Sequence, residues 1–519
     1  MVAVPAQAFT ARKTAGVHTR ETVTRDTEVS CDVVIVGSGA GGSTLAAELS
    51  EAGLQVIVVE EGRYFSTRDF SADASSMIRA LYRDGGASMA VGGPPILFQE
   101  GRTVGGSTVI NGGMAWKTPE RILDTWVKEH DLPALSAEGL APYFERVERR
   151  LHVAEQSVDS VGKDNELLRV GAERKGWKVI TNRRNQVHCP GSNNCAFGCP
   201  TGAKQSALVT YIPRALGFGA EIYSDVRISR VLLSGKRATG VTGHVITADG
   251  RPGARLTVRA RMVALCCGAM QTPALMARSG IKSPSRMLGR NLSLHPNCKL
   301  VAVFDEDVRG WEGVHQAYQV REFQDEGMLF AAVNVPPSIL AMSMPMYGSE
   351  LSEVLKDYRR MVIAGLLVED SVTGRVVSVR GRPTALYQLS EIDADCLVRG
   401  TARLAELLFA AGAKKIHLPF AGVGDLFGPD DIRCLLRKKI PRRHMEVLTV
   451  HIMGTARMGG DRSRAVCDPR GRVYDTEGLL VADASLFPTP IGVNPAETIF
   501  ALSTFVAHHL IDDQKRALS

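Results

Sequence analysis

The segment 31–42, CDVVIVGSGAGG, constrains the fold more than any other stretch of the chain. Residues 32–36 form a short apolar, β-branched run of the kind that becomes a buried parallel strand. Gly37 then permits a tight turn, Gly39 lets backbone close on a pyrophosphate, and Gly42 lets a helix pack against the strand. A helix over 43–51, ended by Gly53, points its N-terminus at the anion. The next apolar run, 56–59, delivers Glu60 to its end, 23 residues after Gly37. A carboxylate there can accept hydrogen bonds from a ribose. Glycine triplets alone are common. Strand, turn, helix, strand and acid in this order predict a dinucleotide site. Glu61 is expected to face solvent.

A second signal lies near the C-terminus, where HIMGTARMG, VADAS and VNPAET follow one another and place His451 and Asn494 43 residues apart. An imidazole, with an ordinary pKa of ~6.5, suits proton transfer near neutrality. A carboxamide can donate to an oxygen that gains negative charge. Gly492 and Pro495 bracket Asn494 in an expected turn. By residue type alone His451 reads as a buried histidine satisfied by backbone; its setting makes the pair catalytic candidates. His295, His417, His444, His508 and His509 lack such a setting and read as structural or surface residues.

At 519 residues the chain can build two sizeable domains, and 45% hydrophobic with 23% charged residues is ordinary for a folded protein. The net charge of +7 is spread along the chain, densest at RKKIPRR (437–443), and reads as solvated faces. Docking to an acidic redox partner or peripheral contact with a membrane is the less favoured reading. Nothing points to nucleic acid. No stretch approaches the ~20 apolar residues of a membrane span. Residues 1–28 read as a flexible arm without the apolar core of a signal peptide. A cytoplasmic location is therefore expected, with the ten cysteines as thiols, metal ligands or redox groups.

Residues 29–115 read as the first part of a nucleotide-binding domain, with a second glycine cluster, GRTVGGSTVINGGMAWK, from residue 101. Helical patterning covers 119–130 and 138–151. Residues 116–202 form a cap segment that ends in a cysteine-rich loop. A helix over 204–216, strands over 227–233 and 256–266, and a strand–turn–helix at 266–280 place 203–298 in the nucleotide domain again. Residues 299–445 fit a substrate domain, and 446–519 return to the nucleotide domain with a closing helix over 496–511. The apolar, methionine-containing stretches 328–335, 339–347 and 361–368 lean weakly toward a hydrophobic substrate.

The segments GSGAGGSTLAAELSEAGLQVIVVEEG, GRTVGGSTVINGGMA, CCGAMQTPALMARSG and HIMGTARMG–VADASLFPTPIGVNPAETIFAL resemble, in order, the glucose–methanol–choline (GMC) oxidoreductase family. The likeness is nearest to its cholesterol oxidase, long-chain alcohol oxidase and bacterial FAD-linked sugar dehydrogenase branches. It implies an α/β fold in which a Rossmann-like FAD-binding domain interleaves with an α+β substrate domain built on an antiparallel sheet. It also implies oxidation of an alcohol by hydride transfer to flavin N5. By the same likeness Gly37, Gly39, Gly42 and Glu60 bind the ADP moiety. Gly105, Gly106, Asn111, Gly112 and Met114 lie along the flavin, Val226 meets the adenine through its backbone, and Asp483 flanks the ribityl chain. His451, as base, and Asn494 form the active-site pair.

Cys189, Cys195 and Cys199 form C-x5-C-x3-C-P within CPGSNNCAFGCPTGAK. Three thiolates on a Gly/Asn/Pro loop suit an iron–sulfur cluster. The spacing resembles that of a bacterial FAD-dependent glucose dehydrogenase subunit, which implies a [3Fe-4S] cluster carrying electrons away. Three readings are open. The first is a flavin dehydrogenase with this cluster, acting on a long-chain, sterol-like or sugar alcohol. The second is an oxidase that passes electrons to oxygen and has a structural cysteine loop. The third is a nucleotide-fold binding protein that has lost catalysis.

Overall fold

The computed structural model describes residues 14–518. Its first sheet has eight strands built around Thr27–Val36, which is flanked in parallel by Val56–Val59 and by the long strand Pro252–Leu265. Glu221–Tyr223 adds beyond Val56–Val59, and Leu479–Val481 pairs in parallel with the C-terminal end of Pro252–Leu265. The N-terminal end of that long strand instead runs into the antiparallel strands Arg237–Ile246 and Val226–Ser234. Four chain-distant segments thus meet in one sheet. This is possible because residues 33–36, 56–59 and 263–265 are buried on both faces.

The helix Ala40–Glu51 follows the first strand at once and is buried along nearly its whole length. Its small residues are required. A Cβ on Gly42 would lie 1.9 Å from the Gly37 carbonyl oxygen, and one on Gly41 would lie 1.8 Å from that of Ala482. The closing helix, Ala496–Leu518, longer than its sequence pattern suggested, packs against it. Glu48 is buried between the two and held by Arg146, Arg150 and His508.

The second sheet has twelve strands. At its centre Asn297–Val303 pairs antiparallel with Met361–Val368, which pairs with Met328–Ala332 and through it with Tyr318–Val320. The alternation along Asn297–Val303 separates two faces. Cys298, Leu300 and Ala302 enter a core covered by the helix Glu391–Ala411, with Leu397, Leu404 and Leu408. Asn297 and Lys299 face the other way, into a cavity.

Three elements depart from the sequence reading. Residues 1–13 of the expected arm lie outside the described residues. The remainder is tied down, with Val17–His18 pairing in parallel with Glu221–Tyr223 at the edge of the first sheet. Ser88–Val91, Ile96–Phe98 and Val447–Thr449, read as parts of the nucleotide domain, join the second sheet. The helix expected over 204–216 is confined to Tyr211–Gly217. The stretch before it turns inward, because Lys204 is buried and its Nζ donates to the carbonyls of Val109, Asn111 and Cys195 at 2.7, 2.8 and 2.6 Å.

Candidate active site

One cavity of about 1160 Å³ runs between the two sheets. Gly37, Gly39, Glu60, Val226 and Asp483 line one end, Gly106, Asn111, Gly112 and Met114 the middle, and His451 and Asn494 the wall toward the second sheet. The chain therefore gathers on one cavity residues that are hundreds of positions apart. Gly42 and Gly105 are not on its wall. Gly42 permits the helix–strand contact described above. Gly105, at φ 91°, shapes the turn behind the wall, where its N–H donates to Ser38 Oγ at 3.1 Å.

The adenosine end fits a dinucleotide. Gly39 caps the helix Ala40–Glu51 with no side chain bonded to the free N–H groups, and a Cβ placed on it would meet only Gly106 Cα, at 3.9 Å. An uncapped helix N-terminus that opens onto a cavity is a site for phosphate. Glu60 is buried. It accepts from Ser38 N and Oγ at 2.8 and 2.7 Å and from Gly62 N at 2.8 Å, so it also braces the turn. Burial raises its pKa above the usual carboxylate value, against those hydrogen bonds. Glu61 does not face solvent as expected. It is paired with Arg83, Arg102 and Arg227. Val226, whose backbone is expected to meet an adenine, lines the cavity and donates its N–H to the Glu60 carbonyl at 2.9 Å. Asp483 accepts from Gly268 N and Thr272 Oγ1 at 2.8 and 2.6 Å, and so fixes the start of the helix Gly268–Arg278 beside the cavity.

His451 and Asn494 do meet: Asn494 Nδ2 lies 3.2 Å from His451 Nε2. Behind them stands His295, which reads from the sequence as a structural or surface residue. Its Nδ1 is 3.1 Å from His451 Nδ1, and its Nε2 accepts from the backbone N–H groups of Ile491 and Gly492 at 3.3 and 3.1 Å. Asp370 holds the backbone of this histidine by accepting from Leu294 N and His295 N at 2.9 and 2.7 Å.

These bonds assign protons. Backbone N–H groups cannot turn away, so His295 Nε2 is an acceptor and the ring carries its hydrogen on Nδ1. That hydrogen goes to His451 Nδ1, and the neutral His451 then carries its own on Nε2. An amide can be turned about its axis, which directs Asn494 Oδ1 to that N–H. Burial lowers the pKa of His451 to about 4 and that of His295 well below the usual value, so both rings are neutral near pH 7. The sequence reading expects His451 to act as base; this tautomer presents a hydrogen, not a lone pair, at Nε2. His451 offers a donor there, and its other nitrogen is already occupied.

Two further residues of this wall were missed. His315 Nε2 is buried without a partner, and burial, then the nearby Arg184 and Lys204, push its pKa down to about 3. Lys299 projects from the strand Asn297–Val303 into the same cavity.

Cys189, Cys195 and Cys199 line a small separate cavity together with Arg184 and Lys204. Arg184 Nη2 donates to Cys195 Sγ at 3.3 Å, and Lys204 N donates to Cys199 Sγ at 3.4 Å. Among the described residues no three His, Cys, Asp or Glu side chains are arranged to hold a single metal ion. The same cations reach the flavin-side loop. Arg184 donates to the carbonyls of Gly112 and His315, as Lys204 does to those of Val109 and Asn111.

The comparisons agree with this geometry. Family models described as GMC oxidoreductase match residues 78–297 and 373–503, and one described as FAD binding domain matches 32–88. An uncharacterised GMC-type oxidoreductase of Mycobacterium tuberculosis is 35% identical over 92% of this chain and 76% of its own length. Another, of Sinorhizobium fredii, is 32% identical over 94% of this chain and 96% of its own. A long-chain-alcohol oxidase of Arabidopsis thaliana is 27% identical, covering 96% and 69%. In fold the chain is similar to formate oxidase of Aspergillus oryzae, with a TM-score of 0.73 at 16% identity over 95% of this chain and all of that one. It is likewise similar to pyridoxine 4-oxidase of Mesorbium loti, at 0.69 and 18% over 92% and 99%. With its nucleotide cradle and its histidine–asparagine wall on one cavity, the chain belongs to the GMC oxidoreductase family and is an FAD-dependent enzyme acting on CH–OH donors.

Proposed function

We propose that the protein oxidises a small-molecule alcohol to a carbonyl compound, with His451 and Asn494 gripping the reacting oxygen. The observation that carries this reading is the hydrogen-bonded series His295–His451–Asn494 on the wall of the nucleotide cavity. FAD, when bound, takes the hydride; the protein's part is to orient the alcohol and stabilise its oxygen. In the ligand-free site the His451 Nε2–H is bonded to Asn494; the substrate oxygen would displace that bond and take donors from both side chains where negative charge develops. As the carbonyl forms, the hydroxyl proton is lost to water in the cavity or to the His315 ring on the same wall. The Ile499, Leu367, Ile339 and Met342 side chains make part of the cavity apolar, which favours a substrate with a hydrocarbon portion.

The test is flavin reduction without oxygen. His451→Ala should slow it by about 100- to 1000-fold, the scale for loss of a preorganised donor. His451→Gln, which keeps a donor, should retain well over tenfold more activity than the alanine variant. Equal loss in both variants would return His451 to the role of base.

A second reading concerns how electrons leave. It rests on the three thiols that share a cavity beside Arg184 and Lys204. Cys189, Cys195 and Cys199 would hold an iron–sulfur cluster, whose chemistry is one-electron transfer. Iron and sulfide analysis of protein purified without air tests it. Absence of both leaves oxygen or another acceptor to reoxidise the flavin directly.

A further inference from the structure

Lys299 is a cation without a counterion inside the substrate cavity. Among the described residues no carboxylate pairs with it and no acceptor bonds its Nζ. Every other buried cation near this wall is engaged: Arg184 by two carbonyls and a thiol, Lys204 by three carbonyls, and Arg321 by Gln319 and Gln324. Burial alone lowers the pKa of Lys299, to about 8, with no opposing charge to restore it. Lys299 is part-buried, with its ammonium on the cavity and no protein partner among the described residues, so it is placed to meet an anion that enters.

The surroundings of Lys299 are built to receive something. On the cavity face of the sheet it stands opposite Gly365, which stands opposite Ala331, which stands opposite Gln319. The row therefore reads long, small, small, long. A Cβ on Gly365 would meet nothing nearer than Asn297 Nδ2, at 3.7 Å. The two small residues leave a recess with the ammonium at one end and the Gln319 amide at the other, and the Asn297 carboxamide lies one same-face position along from Lys299. All five residues line the cavity. An ammonium beside an open recess, with the Asn297 carboxamide on the same face of its strand, suits a carboxylate.

We infer that Lys299 is an anion anchor, and that the physiological substrate is a hydroxy acid: an alcohol whose hydroxyl is presented at His451 and Asn494 while a carboxylate elsewhere in the molecule sits in the Lys299–Gly365–Ala331–Gln319 recess. This rests on the alcohol-oxidising reading above and narrows it to a substrate class. The apolar residues of the same cavity then take the hydrocarbon between the two groups.

The experiment uses the FAD-bound protein and its Lys299→Met and Lys299→Arg variants. The donors are ω-hydroxycarboxylates from 4-hydroxybutanoate to 10-hydroxydecanoate, each compared with the unbranched alkanol of the same length by the rate of flavin reduction without oxygen. The matching carboxylates without a hydroxyl, butanoate to decanoate, are titrated while the visible flavin spectrum is recorded, a readout that needs no turnover. The parent protein should prefer at least one hydroxy acid over its alkanol by about 10- to 100-fold, the scale of a charge-assisted hydrogen bond. That preference should fall toward unity in Lys299→Met and persist in Lys299→Arg. Non-reducing carboxylates should perturb the flavin spectrum saturably in the parent and not in Lys299→Met. No preference in the parent, or a preference that Lys299→Met retains with FAD bound, overturns the anchor. If no alcohol reduces the flavin but carboxylates still bind in a Lys299-dependent way, the anchor stands and alcohol oxidation fails.

Discussion

At the scale of single residues, the site is decided by which polar atoms are already spoken for. His295 matters because two backbone amides occupy its Nε2, and that fixes the proton on the nitrogen it shares with His451. Both rings are buried neutral, with folded pKa values below the ~6.5 of an unfolded histidine. Between the folded and unfolded values the unfolded chain binds more protons, so this pair costs stability as pH falls from ~6.5 toward 4. Melting of the parent and of His451→Gln from pH 7 down to pH 4.5 checks the sign. The variant should lose less on the acid side, and an identical acid slope would mean that His451 is not buried neutral. His451 and Asn494 were legible in the sequence because turn residues frame each of them. His295, His315 and Lys299 were not, because strand pairing and loop packing, not local motifs, bring them to the cavity. A usable signal did exist for Lys299: it is a lone cation on the otherwise apolar strand NCKLVAV.

At the scale of elements, two turns carry most of the weight. The fingerprint turn tolerates no added atom at Gly42, where a methyl would overlap the Gly37 carbonyl. Gly42→Ala should therefore release FAD on purification and lower the melting temperature. A variant that keeps one FAD per chain would show that the helix shifts without cost. The segment between Cys195 and the helix Tyr211–Gly217 is the other. Residues 204–210 of it have helical propensity, but Lys204 satisfies three carbonyls and cannot do so from a surface helix. Lys204→Met leaves those carbonyls without their donor, at about 1–3 kcal/mol for each buried group left unsatisfied. The variant should unfold at lower denaturant concentration and hold FAD less well. Unchanged stability and flavin content would mean that water replaces the ammonium fully.

At the scale of the whole molecule, the first sheet supplies a dinucleotide cradle and the second a wall that chooses what meets it. The nucleotide half was largely readable, since its strand, turn and helix are contiguous in sequence. The assignment of short strands to the second sheet was not, because Ser88–Val91, Ile96–Phe98 and Val447–Thr449 find their partners only through distant pairings. The central claim is that a carbon-bound hydrogen of an alcohol passes to a flavin held in this cavity. The most direct test is anaerobic stopped-flow reduction of the FAD-bound protein, with a donor that reduces it, carrying hydrogen or deuterium on the carbinol carbon. The yellow flavin should bleach, and deuterium should slow the bleaching several-fold. A flavin that stays oxidised with every alcohol, or bleaches at the same rate with both isotopes when chemistry limits the rate, would contradict it.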